Sequence, residues 1–202
     1  MKILKFYPDS VNERHIEEAV SVLRDGGVVV YPTDTLYALG CNALDNKAIV
    51  NLCRAKGLNP EKNLLSIVCS DLSQAAEYAR IDNRAFRYLR EYLPGPFTFI
   101  LNTSTTLPKV FKERKTVGIR IPDNDIARAL AEFLGNPVLS ASVEAESEDD
   151  IVSPESLALI YKHTADLLLD GGDGLAEGST IVDLTDSSNP EILRQGLGDF
   201  QE

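Results

Sequence analysis

No stretch of this sequence approaches the roughly 20 consecutive apolar residues that a membrane-spanning helix requires. The apolar cluster in the N-terminal "MKILKFYPDS" is also too short for a signal-peptide core. A cytoplasmic protein is therefore expected. Cysteine is scarce: Cys41, Cys53 and Cys69 are odd in number and lack C-x-x-C spacing, which argues against a disulfide framework or a thiolate zinc site. Histidine is scarcer still. His15 and His163 fall in separate helical segments, so a His-based metal site or a Ser-His-Asp triad finds little support. Bases are outnumbered, with 20 Lys and Arg against 31 Asp and Glu, for a net charge of −11. That balance weighs against broad nucleic-acid binding, which works by neutralising phosphates, but leaves room for a local basic pocket. Internal repeats, low-complexity tracts and linkers are missing too, so a single domain over residues 1–202 is expected.

What is present is an alternation of strands and helices. Residues 11–25 start at a cap-like Asn12, carry Ile16, Ala19, Val20 and Leu23 at helical spacing, and stop at Gly26-Gly27. "VVVY" reads as a buried strand, 45–55 as a helix opened by Asp45, and "LLSIVCS" at 64–70 as a second buried strand. Helices are predicted from Asp71 or Ser73 to about 80, over 82–92 as far as "PGP", and over 124–134 as far as Gly135. Strands are predicted at 97–103, 116–122, 137–143, 179–185 and 191–196, and "PESLALIYKHTADLLLDGG" reads as a helix running into a strand. The acidic run "EAESEDD" is the nearest thing to a flexible segment. The class is α/β, with one twisted mixed sheet and flanking helices.

Several of these strands pair an apolar body with a hydroxyl or basic residue. "YPTDTLYALG" follows the apolar run "GGVVV" with Thr33 and Thr35; Thr98 follows "PGPF"; Ser140 and Ser142 sit in "LSASV"; Ser179 and Thr180 open "STIVDLT". Each could be ordinary turn chemistry, but together they fit one cleft for a small polar ligand at the strand ends. Arg194 lies in another strand, and Lys56 precedes "GLNPEKNLL". Arg120, between Ile119 and Ile121, is the most informative of the basic residues. A guanidinium on a core strand cannot lose its charge and needs an anion, either a structural carboxylate or a ligand held bidentately.

"YPTDTLYALGCNA", "PGPFTFIL", "KTVGIRIPDN", "PVLSASV" and "STIVDLT…EILRQG" occur in this order. As an ordered set, spanning about residues 12–198, they resemble the YrdC/YciO family, the YciO branch in particular. The resemblance implies a YrdC-like twisted sheet around an open, positively lined cavity, present here as the catalytic-type domain alone. It also implies a threonylcarbamoyl-AMP synthase-type nucleotidyl transfer. Threonine, bicarbonate and ATP would give threonylcarbamoyl-AMP and pyrophosphate for tRNA t6A modification, with Mg²⁺ accompanying ATP and no covalent nucleophile. By the same resemblance Thr33, Thr35, Tyr37, Arg120, Ala141 and Ser179 match substrate positions. Lys56, Lys62, Thr116, Ser140, Ser142 and Arg194 match the nucleotide side.

The departures from the family pattern bear on activity. Synthases carry Lys-x-Arg-Pro with a downstream His, and Ser-x-Asn. Here the first reads "KGLN", with Leu58 for the Arg, Lys62 at the His position and Asn63 at the next Pro position. The second reads "SVE", with Glu144 for the Asn. A lost charge-assisted contact costs about 1.5–3 kcal/mol. A carboxylate facing a triphosphate adds repulsion of about 1 kcal/mol in water, rising to about 4 at an effective dielectric of 20. Glu144 either faces the cavity or points outward as the first of the acidic run. Two functions are expected to compete: a weak or altered synthase, and a non-catalytic paralogue that binds nucleotide, tRNA or double-stranded RNA, for which "KVFKERK" is the basic stretch.

Overall fold

Each helix is announced by a short polar side chain that caps it. Asn12 opens α1 (Glu13–Arg24), Asp45 opens α2 (Asn46–Ala55), Asp71 opens α3 (Leu72–Tyr78) and Asp82 opens α4 (Asn83–Tyr92). Asn124 opens α5 (Asp125–Leu134), Ser147 opens α6 (Glu148–Val152) and Ser153 opens α7 (Pro154–Ile160). In every case the side-chain oxygen accepts from a backbone N–H of the first turn, which would otherwise lack a partner. The computed structural model describes residues 1–7, 11–59, 63, 66–104, 107 and 115–201. No helix among them is long and apolar enough to cross a membrane.

The strands are β1 (Lys2–Lys5), β2 (Val29–Tyr31), β3 (Ala38–Asn42), β4 (Ser66–Val68) and β5 (Phe97–Asn102). They continue with β6 (Thr116–Arg120), β7 (Val138–Ser142), β8 (Leu167–Asp170), β9 (Thr180–Asp183) and β10 (Glu191–Arg194). They form one mixed sheet in the order β1-β8-β2-β3-β7-β4-β6-β5-β9-β10. The central strands are buried on both faces, which is why they read as continuous apolar runs. Ile67, Ile119 and Leu139 are in register across β4, β6 and β7 and belong to one core, while Val68 and Val138 belong to the other. Ile16, Ala19, Val20 and Leu23 of α1 fill the second core.

The structure differs from the sequence reading in three places. β1 was not expected: it is a four-residue edge strand with only Leu4 buried, paired in parallel with β8 across most of the chain. β3 lies inside what reads as a turn after "VVVY". Tyr31 pairs with Ala38, so the chain folds straight back as an antiparallel hairpin. The acidic run is partly helical, because Ser147 caps α6 and its Oγ also donates to Asp150.

Asp82 ties two distant segments together. Its Oδ1 accepts from Arg84 N at 2.9 Å and Ala85 N at 2.8 Å, and the buried Ser187 hydroxyl sits 2.9 and 2.8 Å from its two oxygens. The Ala85 N–H, then the Ser187 hydroxyl, hold this carboxyl below its ordinary value of 3.8. The stability it contributes is therefore full above pH 3.8 and lost as the pH falls through its lower folded value. Asp82→Ala should cost about 1 kcal/mol at pH 7, and the gap to the parent should close on acidification. Urea unfolding at pH 7, 4 and 2.5 checks both, and a gap unchanged at pH 2.5 would refute the carboxylate as its source.

Candidate functional site

Arg120 ends β6 with its side chain only 6% exposed. Its Nη2 donates to Asp34 Oδ1 at 3.1 Å and to Thr35 Oγ1 at 3.0 Å. The Thr33 hydroxyl spends its proton on the Leu36 carbonyl at 2.7 Å, so across the 3.1 Å Thr33–Thr35 contact Thr35 must be the donor. That leaves the Thr35 oxygen facing the guanidinium. Asp34 Oδ2 accepts from Asp123 N at 2.9 Å, which joins the β2–β3 loop to the segment after β6. Burial pulls the Arg120 pKa down from its ordinary value, and Asp34 opposes that shift. Arg120 Nε is buried and has no hydrogen-bond partner among the described residues.

Arg120 reaches a cavity of about 280 Å³ that also takes in Lys56, Ser140, Ala141, Ser142, Ser179 and Arg194. The sheet register assembles it. Ser66 stands opposite both Gly118 and Ser140, and Ile181 lies between Thr98 and Arg194. A Cβ on Gly118 would fall 2.5 Å from Ser66 Oγ and 3.0 Å from Thr98 Cγ2, so only glycine leaves these two hydroxyl residues their space. The Thr98 and Ser179 hydroxyls are 2.8 Å apart. Arg194 Nη2 donates to Ser179 O at 2.7 Å, and Gly196 allows that approach, since a Cβ there would meet Ser179 O at 2.7 Å. Tyr31 donates to Ser140 Oγ at 2.7 Å, and burial pushes its pKa up to about 12, so it stays a neutral donor.

The fourth wall comes from the end of α2 and the segment after β7. Lys56 caps α2 with a side chain 5% exposed, and its Nζ lies 3.0 Å from Glu144 Oε1, a carboxylate 80% exposed. Glu144 thus faces the cavity, and Leu58 lines it as well.

Of the residues matched through the family resemblance, Lys56, Arg120, Ser140, Ala141, Ser142, Ser179 and Arg194 converge on this cavity. Thr35 stands one step behind it, in contact with Arg120, and Thr33 one step further back. Tyr37 is fully buried and is not among the lining residues. Its hydroxyl donates to Gly172 O at 2.6 Å and accepts from Gly171 N at 3.1 Å, and burial raises its pKa. Thr116 sits at the far end of β6 from Arg120, opposite Asn102, and is not among the lining residues either. Lys62 and residues 109–114 lie outside the described residues. Asp34, Tyr31 and Ser66 are not singled out by the sequence pattern. Asp34 was findable, because a buried arginine demands a carboxylate and "PTDT" holds one among hydroxyls.

The sheet order, the hydroxyl-lined floor and the convergent cations define an α/β domain built around a cavity lined by hydroxyls and by Lys56, Arg120 and Arg194. The chain belongs to the Sua5/YciO/YrdC family, whose model, described as "Telomere recombination", matches residues 21–196. It is 40% identical to YciO of Escherichia coli K12 over 96% of this chain and 95% of that protein. The E. coli YciO crystal structure superposes with a TM-score of 0.90 and covers 98% of both chains. At 31% identity it matches the threonylcarbamoyl-AMP synthase of Pyrococcus abyssi over 97% of this chain but 58% of that protein. The structure of P. abyssi Sua5 complexed with L-threonine superposes at TM-score 0.85 over 96% of this chain and 57% of the other.

The buried pair sets a stability expectation. Asp34→Ala leaves a charged guanidinium without its counter-ion and should cost about 3 kcal/mol or more. Thr35→Val, which removes one hydrogen bond but keeps the pair, should cost about 1–3 kcal/mol. Urea unfolding of the two variants orders them, and equal losses would refute the primacy of the ion pair.

Proposed function

We propose that the cavity binds a small amino acid of the threonine type beside a phosphate-bearing ligand and carries out threonylcarbamoyl-AMP synthesis at a low rate. The observation that carries this reading is Arg120 itself, a largely buried guanidinium that lines the cavity together with the Ser179 and Thr98 hydroxyls. A guanidinium that lines the cavity is a ready partner for a ligand carboxylate, with charge-assisted hydrogen bonds. The relative complexed with L-threonine supports an amino acid as that ligand.

The chemistry demands little of side chains. The threonine amine adds to bicarbonate with loss of water, forming a carbamate. A carbamate oxygen then attacks the α-phosphorus of ATP, and pyrophosphate leaves. Arg120 would orient the amino acid, while Lys56 and Arg194 would offset charge on the phosphates, so catalysis is positioning plus electrostatics. Cysteine chemistry has no part in it. Cys41, Cys53 and Cys69 are buried, and burial pushes the Cys41 and Cys69 thiols up, away from thiolate. Among the described residues no cluster of three acidic, His or Cys ligands exists, and Glu144 is spent on Lys56. Mg²⁺ would enter on the polyphosphate.

The low rate follows from Leu58, an aliphatic group in the cavity wall where synthases place an arginine. With ATP, threonine, bicarbonate and Mg²⁺, slow release of pyrophosphate and threonylcarbamoyl-AMP is expected at high protein concentration. Complete absence of product would overturn the synthase reading and leave nucleotide binding alone. Arg120→Lys keeps the charge but loses the planar fork, and should weaken threonine binding at least about tenfold by calorimetry. Leu58→Arg should tighten ATP by about the same factor.

A further inference from the structure

Lys56 carries its charge into the wall of the cavity, where it needs a counter-ion. Its ammonium is on a side chain 95% removed from solvent, and a buried cation without an anion is costly. Among the described residues the one carboxylate within ion-pair distance is Glu144, at 3.0 Å. The two partners are held in very different ways. Lys56 is fixed at the end of α2, whereas the Glu144 side chain is 80% exposed and free to leave.

The backbone around Glu144 is not free. The buried Tyr161 hydroxyl accepts from Glu144 N at 2.7 Å and donates to Glu144 O at 3.0 Å, so both peptide groups of this residue are clamped by one phenol. A pinned backbone with a loose carboxylate is a built reach toward Lys56. The far side of Glu144 borders a second depression of about 510 Å³ that carries Glu146 and Asp150. A carboxylate swinging outward would meet like charge there, which biases it toward Lys56.

We infer that Glu144 is an internal counter-anion that occupies the anion position of Lys56, and that a phosphate-type ligand must displace it to bind. This rests on the reading that the cavity takes anionic ligands, and it identifies Glu144 as the residue setting specificity against polyanions at that end. An incoming phosphate exchanges one ion pair for another and gains only the difference. An uncharged side chain at position 144 would let the ligand neutralise a cation that otherwise lacks a partner. The amino-acid end of the cavity, at Arg120, has its own counter-ion in Asp34.

The test is calorimetric titration of inorganic pyrophosphate, without Mg²⁺ and at fixed ionic strength, into the parent, Glu144→Gln, Lys56→Met and the double variant. Glu144→Gln should tighten pyrophosphate at least about tenfold, and the gain should fall below about threefold in the Lys56→Met background. L-Threonine, titrated alongside, should bind the parent and Glu144→Gln alike. No gain in Glu144→Gln overturns the proposal. A gain that persists without Lys56 overturns it too, since Glu144 would then be only a nearby repulsive charge. If Lys56→Met fails to fold, Glu144→Asp takes its place: one methylene shorter, it keeps the charge but loses the reach. Tighter pyrophosphate binding in Glu144→Asp supports displacement, and unchanged binding refutes it. A pyrophosphate gain with threonine silent throughout supports the counter-anion and counts against the amino-acid reading instead.

Discussion

Arg120 carries a charge that cannot be neutralised into the interior, and several separate pieces of chain are arranged around that fact. Asp34 must lie within reach, so the β2–β3 loop is drawn over the end of β6. Thr35 turns its oxygen to the guanidinium because Thr33, anchored on the Leu36 carbonyl, takes the Thr35 proton. Asp34 in turn receives the Asp123 N–H, which fixes the chain just before α5. The polar residues at the end of "VVVY" therefore mainly hold the guanidinium, and Arg120 in turn lines the cavity wall.

Around that anchor, strand register decides which side chains meet. β7 runs between β3 and β4, and alternation along it sends Leu139 into the core beside Ile67 while Ser140 and Ser142 take the opposite orientation. Gly118 keeps open the space between Ser66 and Thr98. β9 and β10 bring Ser179 and Arg194 to the same cavity, and Gly196 lets the two segments close on each other. The result is asymmetric. At one end a buried cation has a buried carboxylate; at the other, a buried cation is satisfied by an exposed carboxylate that can be displaced.

Helices were the most legible part of the sequence, because capping and apolar spacing are local. Asn12 with Ile16, Ala19, Val20 and Leu23 is enough to specify α1. β1 and β3 were not legible, for different reasons. β1 owes its existence to a partner more than 160 residues away. β3, "ALGCN", contains a glycine and sits so close to β2 that it passes for a turn. The cavity was half legible. Lys56, Arg120, Ser140, Ser142, Ser179 and Arg194 stand out as polar interruptions of apolar runs or as matches to a family pattern, but Asp34, Ser66 and Tyr31 contribute through contacts with distant segments.

The sequence by itself determined the α/β class, most of the helix starts, the family and the kinds of group available to the site, because these depend on periodicity, caps and ordered motifs along the chain. Tertiary structure alone decided that Thr33 and Tyr37 are not among the residues lining the cavity, and that Thr116 lies at the far end of β6 from Arg120. It also decided that Glu144 turns inward to Lys56 and not outward with the acidic run. The physical reason is that an ion pair is fixed by through-space distance. Lys56 and Glu144 are far apart along the chain and become neighbours only once α2 and β7 have packed on the same sheet.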